Sequence, residues 1–272
     1  MSLFRTLAAV LLAAATLPLH AQTASPAPSQ GTEAMPVYAM LSLIGDKLEI
    51  VIKQSQAGSN LNQNRRQPVP IDNPIFDSTA ASAAGNAIKR VQPHAELAIL
   101  NARSPVLFDR QQTLFESRGD KLAVPEAIVE AAKKQGANRL VLVLKRRDEA
   151  NLMLRNWGDS FETGKLEGLG FYLDSTTNTA TIHSETGQRT VSGIGFIAPF
   201  VYVDVMVLDT ASLKVLGRRA ITAASIATAG RAGQDIGEPW NALSSADKVR
   251  YVSQLIEREV TKVTLELITA LK

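Results

Sequence analysis

The sequence contains no cysteine among its 272 residues, and this absence excludes several classes of protein. Disulfide bonds and thiol catalysis are excluded because both need a cysteine sulfur. A lipid-anchored protein of the bacterial envelope carries a cysteine at its cleavage site, so that form of attachment is excluded too. A chain of this length can nevertheless bury a sizeable core without disulfide bonds.

The chain also has no large excess of either charge, because it contains 29 lysines and arginines and 26 aspartates and glutamates. The calculated pI of 9.2 overstates the basicity of so balanced a chain. Proteins that bind nucleic acid through its phosphates carry a clustered positive surface, and this composition does not indicate such a surface. We therefore expect no nucleic-acid partner.

Long apolar runs are missing beyond the amino terminus. The most apolar stretch, residues 196–208, is interrupted by Pro199 and Asp204, so it falls short of the roughly 18 apolar residues of a transmembrane helix. A buried central strand is the favoured interpretation, because residues 201–207 are rich in β-branched side chains. The alternative is a protruding hairpin over residues 166–200, whose exposed apolar face would mark a partner, a second copy or a membrane surface.

The amino terminus has the layout of a secretory signal peptide. Residues 1–5 carry one positive charge, residues 6–19 are almost wholly apolar, and the small residue Ala21 follows. The apolar core is shorter than the roughly 20 residues that span a bilayer, so a cleaved signal peptide is predicted over residues 1–21. The alternative is a retained amino-terminal anchor. Cleavage would make the chain an exported periplasmic protein that is not a lipoprotein.

The rest of the chain divides into a leader and a domain. Residues 22–36 are rich in alanine, serine, proline and glutamine without apolar periodicity, which is typical of a flexible leader. Residues 37–272 are predicted to form a single domain of the α/β (α+β) class. We expect a mixed or mainly antiparallel sheet with packed helices, and a glycine-rich insertion over about residues 157–200.

Two segments give the clearest local patterns. A helix is predicted to begin at Pro125 and to end at Gly136, and the apolar run of residues 139–145 is typical of a strand covered on both faces. At the carboxy terminus, an apolar stripe after Ser244 predicts a long amphipathic helix of roughly 25 residues.

The first part of the domain is predicted from shorter patterns. Residues 37–45 and 47–54 are each β-prone and are interpreted as a hairpin. Residues 55–74 are polar with several prolines, which indicates a long loop. An alanine-rich helix is expected to follow, with Asp77 or Ser78 as its cap.

One order of elements resembles a known family. A helix ends in Gly136-Ala137, a strand follows it, and a later pair of strands is joined at Asp209. This order resembles the amino-terminal domain of the TolB type. The same order resembles the curli secretion protein and the outer-membrane lipoprotein activators of cell-wall synthases. This similarity covers residues 125–220, and the whole chain resembles uncharacterised exported proteobacterial proteins. The resemblance implies a periplasmic protein that binds other envelope components, and it carries over no catalytic residue.

Residues for catalysis or metal binding are few. His94 and His183 are the two histidines beyond the predicted signal peptide, and neither stands at ligand spacing with another histidine or a carboxylate pair. Neither a zinc site nor a Ser-His-Asp triad is therefore predicted, and no cofactor is expected. A pair of catalytic carboxylates among the 26 acidic residues stays open as an alternative.

Candidate binding residues come from aromatic and basic side chains. The basic pair Arg65-Arg66 would contact an acidic partner, or would simply be solvated surface charge. Four aromatic residues in or beside the glycine-rich segment would anchor a partner if they were exposed: Trp157, Phe171, Tyr172 and Phe196. If they are buried, they belong to the core.

These features predict an exported periplasmic protein that binds or assembles envelope components without catalysing a reaction. Its partner would be an envelope protein or a second copy of the chain, and contact with a membrane surface stays open. The alternatives are a carboxylate-dependent envelope hydrolase and an oligomer that inserts the glycine-rich hairpin into the outer membrane.

Expression of the full chain in a Gram-negative host should yield a mature protein that begins at Gln22, because signal peptidase cuts after small residues such as Ala21. Intact-mass measurement of the periplasmic fraction checks this. The variant Leu19→Ala, which supplies a small residue three places before the cut, should be cleaved at least as completely. A full-mass product that stays in the membrane would show a retained anchor instead.

Overall fold

The computed structural model describes residues 35–54, 64–153, 160–182, 189–229 and 238–271. The predicted signal peptide, and the predicted leader up to residue 34, lie outside these ranges. Within them the chain forms twelve β-strands and five α-helices.

The strands, in chain order, are β1 Val37–Leu43, β2 Lys47–Ile52, β3 Arg65–Pro70, β4 Glu96–Leu100, β5 Ser117–Arg118, β6 Lys121–Leu122, β7 Arg139–Lys145, β8 Arg147–Met153, β9 Ser160–Ile182, β10 Arg189–Asp209, β11 Val215–Ala224 and β12 Thr228–Ala229. The helices are α1 Ile75–Val91, α2 Pro105–Asp109, α3 Gln111–Leu114, α4 Glu126–Lys134 and α5 Ser245–Ala270. A short 3-10 helix, Pro239–Ala242, comes before α5.

Ten strands form one curled, mixed sheet. Its order is β3-β2-β9-β10-β7-β1-β4, with β11 and β12 paired to β10 and β8 paired to β9. Strand β1 runs parallel to β4 and β7, and β2 runs parallel to β9, whereas the other pairs in this sheet are antiparallel. The predicted single α/β domain with a mixed sheet and a long carboxy-terminal helix is confirmed.

Strand β10 runs through the middle of the sheet. Its first part pairs with β9 and its second part with β7, while β11 pairs along its other edge. Every residue from 200 to 208 is at most 5 % exposed, so the buried-strand interpretation of this stretch is confirmed. The glycine-rich segment that was expected as an insertion therefore supplies parts of two central strands, β9 and β10.

The sheet is covered on both faces, and β7 shows how the sequence encodes this. Its side chains alternate between two sides, because successive residues of a strand point to opposite faces. Val141 and Val143 pack in a cluster with residues of α1 and α5. Leu140, Leu142 and Leu144 pack in a second cluster with α4 and Phe115. The continuous apolar run was therefore a correct sign of a doubly covered strand.

Helix α5 follows its predicted pattern closely. Ser244 is the N-cap residue, and its Oγ accepts a hydrogen bond of 3.1 Å from the Asp247 backbone N–H. Val252, Ile256 and Val260 of its apolar stripe are fully buried in the cluster shared with α1. Within the described ranges, no helix is both long and apolar enough to cross a membrane.

The predicted hairpin of β1 and β2 is wrong. The two strands do not pair with each other: β1 lies between β7 and β4, whereas β2 lies between β3 and β9. The backbone N–H groups of Ile44 and Gly45 bind the carboxylate of Asp77 instead of closing a turn. The chain therefore continues from one part of the sheet into the next.

The predicted loop over residues 55–74 is also wrong in part, because residues 65–70 form the edge strand β3. Pro68 and Pro70 argued against a strand, since proline cannot donate to the backbone ladder. At a sheet edge this lack is tolerated, because one side of the strand faces solvent. Residues 55–63 lie outside the described ranges.

Gly170 allows β9 to approach β2 closely. A Cβ atom at this position would overlap the Glu49 carbonyl oxygen and lie 2.6 Å from Cζ of Phe200. Backbone cannot yield as a flexible side chain can, so only glycine fits.

The substitution Gly170→Ala should lower the free energy of unfolding by at least about 3 kcal/mol, because it forces two paired strands apart. The midpoint of urea denaturation measures this loss. Gly119→Ala is the matched control: Gly119 has φ of 65°, and a Cβ atom there would have no neighbour within 4 Å, so only the left-handed backbone costs energy, about 1 kcal/mol. Equal losses in the two variants would contradict the close-approach explanation.

Candidate functional site

A groove of about 750 Å³ lies at the carboxyl ends of the parallel strands β1 and β4. In open α/β sheets the loops that follow such strand ends form the usual binding crevice. One wall is the segment before α1 together with its first turns, and the other is the end of β4 with the segment after it. Its lining residues are Ser42, Gly45, Asp46, Ile71, Asp72, Asn73, Pro74, Asp77, Ala81, Ile99, Leu100, Asn101, Ala102, Arg103, Pro105, Phe108 and Asp109.

Asp77 holds the base of the groove together. Its carboxylate accepts hydrogen bonds from Ser42 Oγ at 2.6 Å, from the Ile44 N–H at 2.8 Å and from the Gly45 N–H at 3.2 Å. Asp77 or Ser78 was predicted to cap α1, but Pro74 occupies the N-cap position without a side-chain bond. The Asp77 side chain binds the end of β1 instead. A Cβ at Gly45 would lie 2.7 Å from Oδ2 of Asp77, so this contact also requires a glycine.

Burial raises the pKa of Asp77 above its ordinary value of 3.8, against the lowering effect of its hydrogen bonds from Ser42, Ile44 and Gly45. Desolvation disfavours the charged form of a carboxyl group, and here it outweighs the donors. Burial is therefore the main influence on the pKa of Asp77.

A second charged contact joins the groove to β7. Lys145, the last residue of β7, forms an ion pair with Asp46, and its Nζ lies 5.9 Å from the ring centroid of Phe108. The Gln111 side chain bridges the same region, because its Oε1 accepts from the Lys145 N–H at 2.8 Å and its Nε2 donates to the Leu43 carbonyl. The segment α2–α3 is thereby fixed against the strand ends.

The rim of the groove is acidic and partly apolar. Asp72 stands on one wall and Asp109 on the other, both are exposed, and neither forms an ion pair with any of the described residues. Ile99, which is 50 % exposed, and Phe108 supply apolar surface between them. Arg103 is the one basic residue in the lining. This arrangement favours a positively charged group that carries an apolar stem.

Two smaller cavities of about 100 Å³ and 320 Å³ continue the groove past α2. Both are lined by Phe108, Asp109, Lys145 and Glu167, and the first two of these also line the main groove. The three cavities therefore follow the carboxyl ends of β4, β1 and β7 in turn, with α2 standing between them.

Three of the four predicted aromatic anchors, Phe171, Tyr172 and Phe196, are buried. Phe171 and Tyr172 have no exposed side-chain area and Phe196 is 2 % exposed. Phe171 packs edge-on against Trp240 with 5.6 Å between ring centroids, and Tyr172 stacks on Phe196 at 6.1 Å. Strands β9 and β10 are covered on both faces, which buries these rings, so the interpretation of them as exposed anchors is corrected to core packing. Trp157 lies outside the described residues.

Arg65 and Arg66 are exposed on the edge strand β3 and do not line the groove. The Arg66 guanidinium donates to the Lys165 carbonyl, whereas Arg65 forms no ion pair with any of the described residues. Their role in contacting an acidic partner stays a prediction. His94 is exposed after α1, and His183 lies outside the described residues.

Several acidic residues away from the groove form ion pairs with lysine or arginine side chains of the same chain. Asp204 accepts from Arg146 at 3.3 Å and from Arg218 at 2.6 Å, and Asp174 pairs with Lys53 at 2.7 Å. In the described ranges, no three histidine, aspartate or glutamate residues are grouped so that they could hold a metal ion.

Sequence reasoning missed the groove, although signals for it were present. Parallel strands whose carboxyl ends are followed by polar residues predict a crevice, and Asn101-Ala102-Arg103, directly after β4, is such a segment. The signal was lost because β1 was assigned to a hairpin, which placed its end against β2 and not beside β4.

Comparisons with known proteins show no close relative. The chain matches no protein-family model, and no curated protein matches it. Among solved structures it is similar to the PelC dodecamer from Paraburkholderia phytofirmans, with 11% identity, a TM-score of 0.32, and 85% of this chain and 86% of that chain covered. It is also similar to protein XCC0632 from Xanthomonas campestris, with 9% identity, a TM-score of 0.34, and 90% and 87% covered.

A third similar structure is a putative neuraminyllactose-binding hemagglutinin homolog from Helicobacter pylori, with 8% identity, a TM-score of 0.30, and 88% of this chain and 90% of that chain covered. Similarities at this level assign neither a family nor an activity. The resemblance to the TolB type stays a prediction from the sequence.

Stability should respond to pH in opposite directions through Asp77 and Asp148. The pKa of Asp77 is raised by burial, so the folded protein keeps this proton to a higher pH than the unfolded chain does. The stability that Asp77 contributes therefore falls as pH rises above about 3.8. The free energy of unfolding of the wild type minus that of Asp77→Asn should decrease from about pH 3 to about pH 7.

Asp148→Asn is the matched control, because the hydrogen bond from Arg146 lowers the pKa of Asp148. Its contribution is present at neutral pH and is lost as the pH falls through the lowered pKa, so the corresponding difference should increase with pH. Urea denaturation at several pH values measures both slopes. If the two differences in the free energy of unfolding changed in the same direction with pH, burial would not be raising the pKa of Asp77.

Proposed function

We propose that this chain is an exported, non-enzymatic binding module that works in the periplasm and takes its partner in the groove at the carboxyl ends of β1 and β4. The observation that carries this proposal is the groove itself. Its volume of about 750 Å³ lies within the range of about 300–1,000 Å³ that is typical of ligand sites. Export rests on the predicted signal peptide.

The lining supports binding of a side chain or short segment more than catalysis. A binding crevice combines apolar surface with a few polar groups that fix orientation, and here Ile99 and Phe108 stand beside Asp72 and Asp109. A hydrolase would need a carboxylate held ready to donate or accept a proton.

The two deeper acids of the groove do not meet that need. Asp77 accepts three hydrogen bonds from the end of β1 and the residues after it, and Asp46 is paired with Lys145. Both are engaged in holding the strand ends, which weighs against the hydrolase alternative.

A photo-crosslinking residue placed at position 99 should give one discrete adduct in living cells, because Ile99 is half exposed on the groove wall. The matched control is position 226, since Ile226 is also an exposed apolar residue, at 39 %, and does not line the groove. Electrophoresis with mass spectrometry of the adduct gives the readout. No adduct at 99, or the same adducts at both positions, would argue against the groove as the binding surface.

A further inference from the structure

We propose that the groove accepts Arg65 on strand β3 of a second copy of this chain, so that copies associate head to tail. This rests on the proposed function of the groove as a binding surface and names its occupant. The two surfaces concerned, the acidic groove and the basic edge strand, lie on different parts of every copy.

The groove has the chemistry that binds an arginine. Asp72 and Asp109 stand on opposite walls, are exposed, and form no ion pair with any of the described residues. A guanidinium group can donate to two carboxylates at once through its planar fork. Ile99 and Phe108 offer apolar surface to the methylene stem of such a side chain. A lysine or a neutral segment would use less of this surface.

The edge strand presents such an arginine. Arg65 is exposed at the start of β3 and has no ion pair among the described residues, while Arg66 is held by the Lys165 carbonyl. Pro68 and Pro70 follow in the same strand, and they lack the N–H groups that a further strand would need. The exposed edge is therefore suited to contact through its side chains and not through sheet extension.

Arg65 cannot reach the groove of its own chain. Strand β3 leads from Arg65 through Pro70 to Ile71, which lines the groove. Six extended residues span about 20 Å, so the arginine lies at the far end of the strand from the groove wall. Strands β3 and β4 also stand at opposite ends of the main strand order. An Arg65 that occupies the groove must therefore belong to another copy.

The contact joins two different surfaces and is therefore heterologous. Such contacts propagate from copy to copy and either close into a ring or extend as a filament, unlike a twofold dimer. Exposed ion pairs are individually weak and are screened by salt. The association should consequently be concentration-dependent and sensitive to ionic strength.

The test uses charge reversal with the mature wild-type chain and two variants, Arg65→Glu and the double variant Asp72→Arg/Asp109→Arg. Sedimentation velocity is measured at a protein concentration of about 1 mM, where a weak contact is populated. In about 0.1 M salt, the wild type should have a weight-average mass at least about twice that of the monomer. Each variant alone should sediment as a monomer, and about 1 M salt should dissociate the wild type.

An equimolar mixture of the two variants should associate again. The acidic groove of Arg65→Glu receives the intact Arg65 of the double variant, and the reversed groove of the double variant receives the introduced glutamate in turn. Arg118→Glu, which makes the same charge change at an exposed site outside the groove and outside β3, should associate as the wild type does. Circular dichroism confirms that each variant is folded.

A monomeric wild type in about 0.1 M salt, variants that associate as the wild type does, or a mixture that stays monomeric would each overturn the proposal. The crosslink at position 99 separates this failure from failure of the proposed function. An adduct with twice the mass of the chain agrees with a second copy. An adduct with a different envelope protein keeps the groove as a binding surface but overturns this occupant.

Discussion

The carboxylate of Asp77 is the contact on which the arrangement of the sheet and the groove both depend. It binds Ser42 and the backbone N–H groups of Ile44 and Gly45, so these two backbone donors are not available to close a tight turn. The chain consequently passes from β1 into β2 without reversing. Strand β1 joins β4 and β7, β2 joins β3 and β9, and both groups meet along β10. The groove opens where the two groups separate.

Charged pairs mark the junctions of this sheet. Asp204, the single charge in the most apolar stretch, is 5 % exposed and binds Arg146 from the β7–β8 junction and Arg218 from β11. Lys145 reaches Asp46 between β1 and β2. A buried ion pair adds little net stability, but breaking it leaves an uncompensated charge. Such pairs therefore select one arrangement of strands over its competitors, because a shifted register would separate the partners.

The strand pairing also decides which side chains are buried in the core and which are exposed at the surface. The aromatic rings of β9 and β10 fill the interior, so they stabilise the sheet and are not available to a partner. The described surface carries the acidic residues Asp72 and Asp109 beside the strand ends and the exposed arginines Arg65 and Arg66 on the edge strand β3. Under the proposed function, such a surface would bind its partner through charge and shape, and the affinity would depend on salt.

The sequence by itself determined the elements whose signals are local. Helix α5 follows from its apolar stripe and the Ser244 cap, α4 from Pro125 and Gly136, and β7 from an unbroken apolar run. Each signal lies within one segment and depends on hydrogen bonds or periodicity inside it. The α/β class followed from these elements, since a doubly covered strand beside amphipathic helices needs both layers.

Only the tertiary structure decided which strands pair and therefore where the groove lies. The partners of β1 and β2 are far away in sequence, and two adjacent β-prone segments look the same whether they form a hairpin or join different neighbours. Phe171 and Phe196 could have been core or surface for the same reason: burial depends on what covers a strand. Asp72 and Asp109 line one groove because Asp77 binds the start of α1 to the end of β1 and because β4 lies parallel to β1. No local pattern encodes either contact.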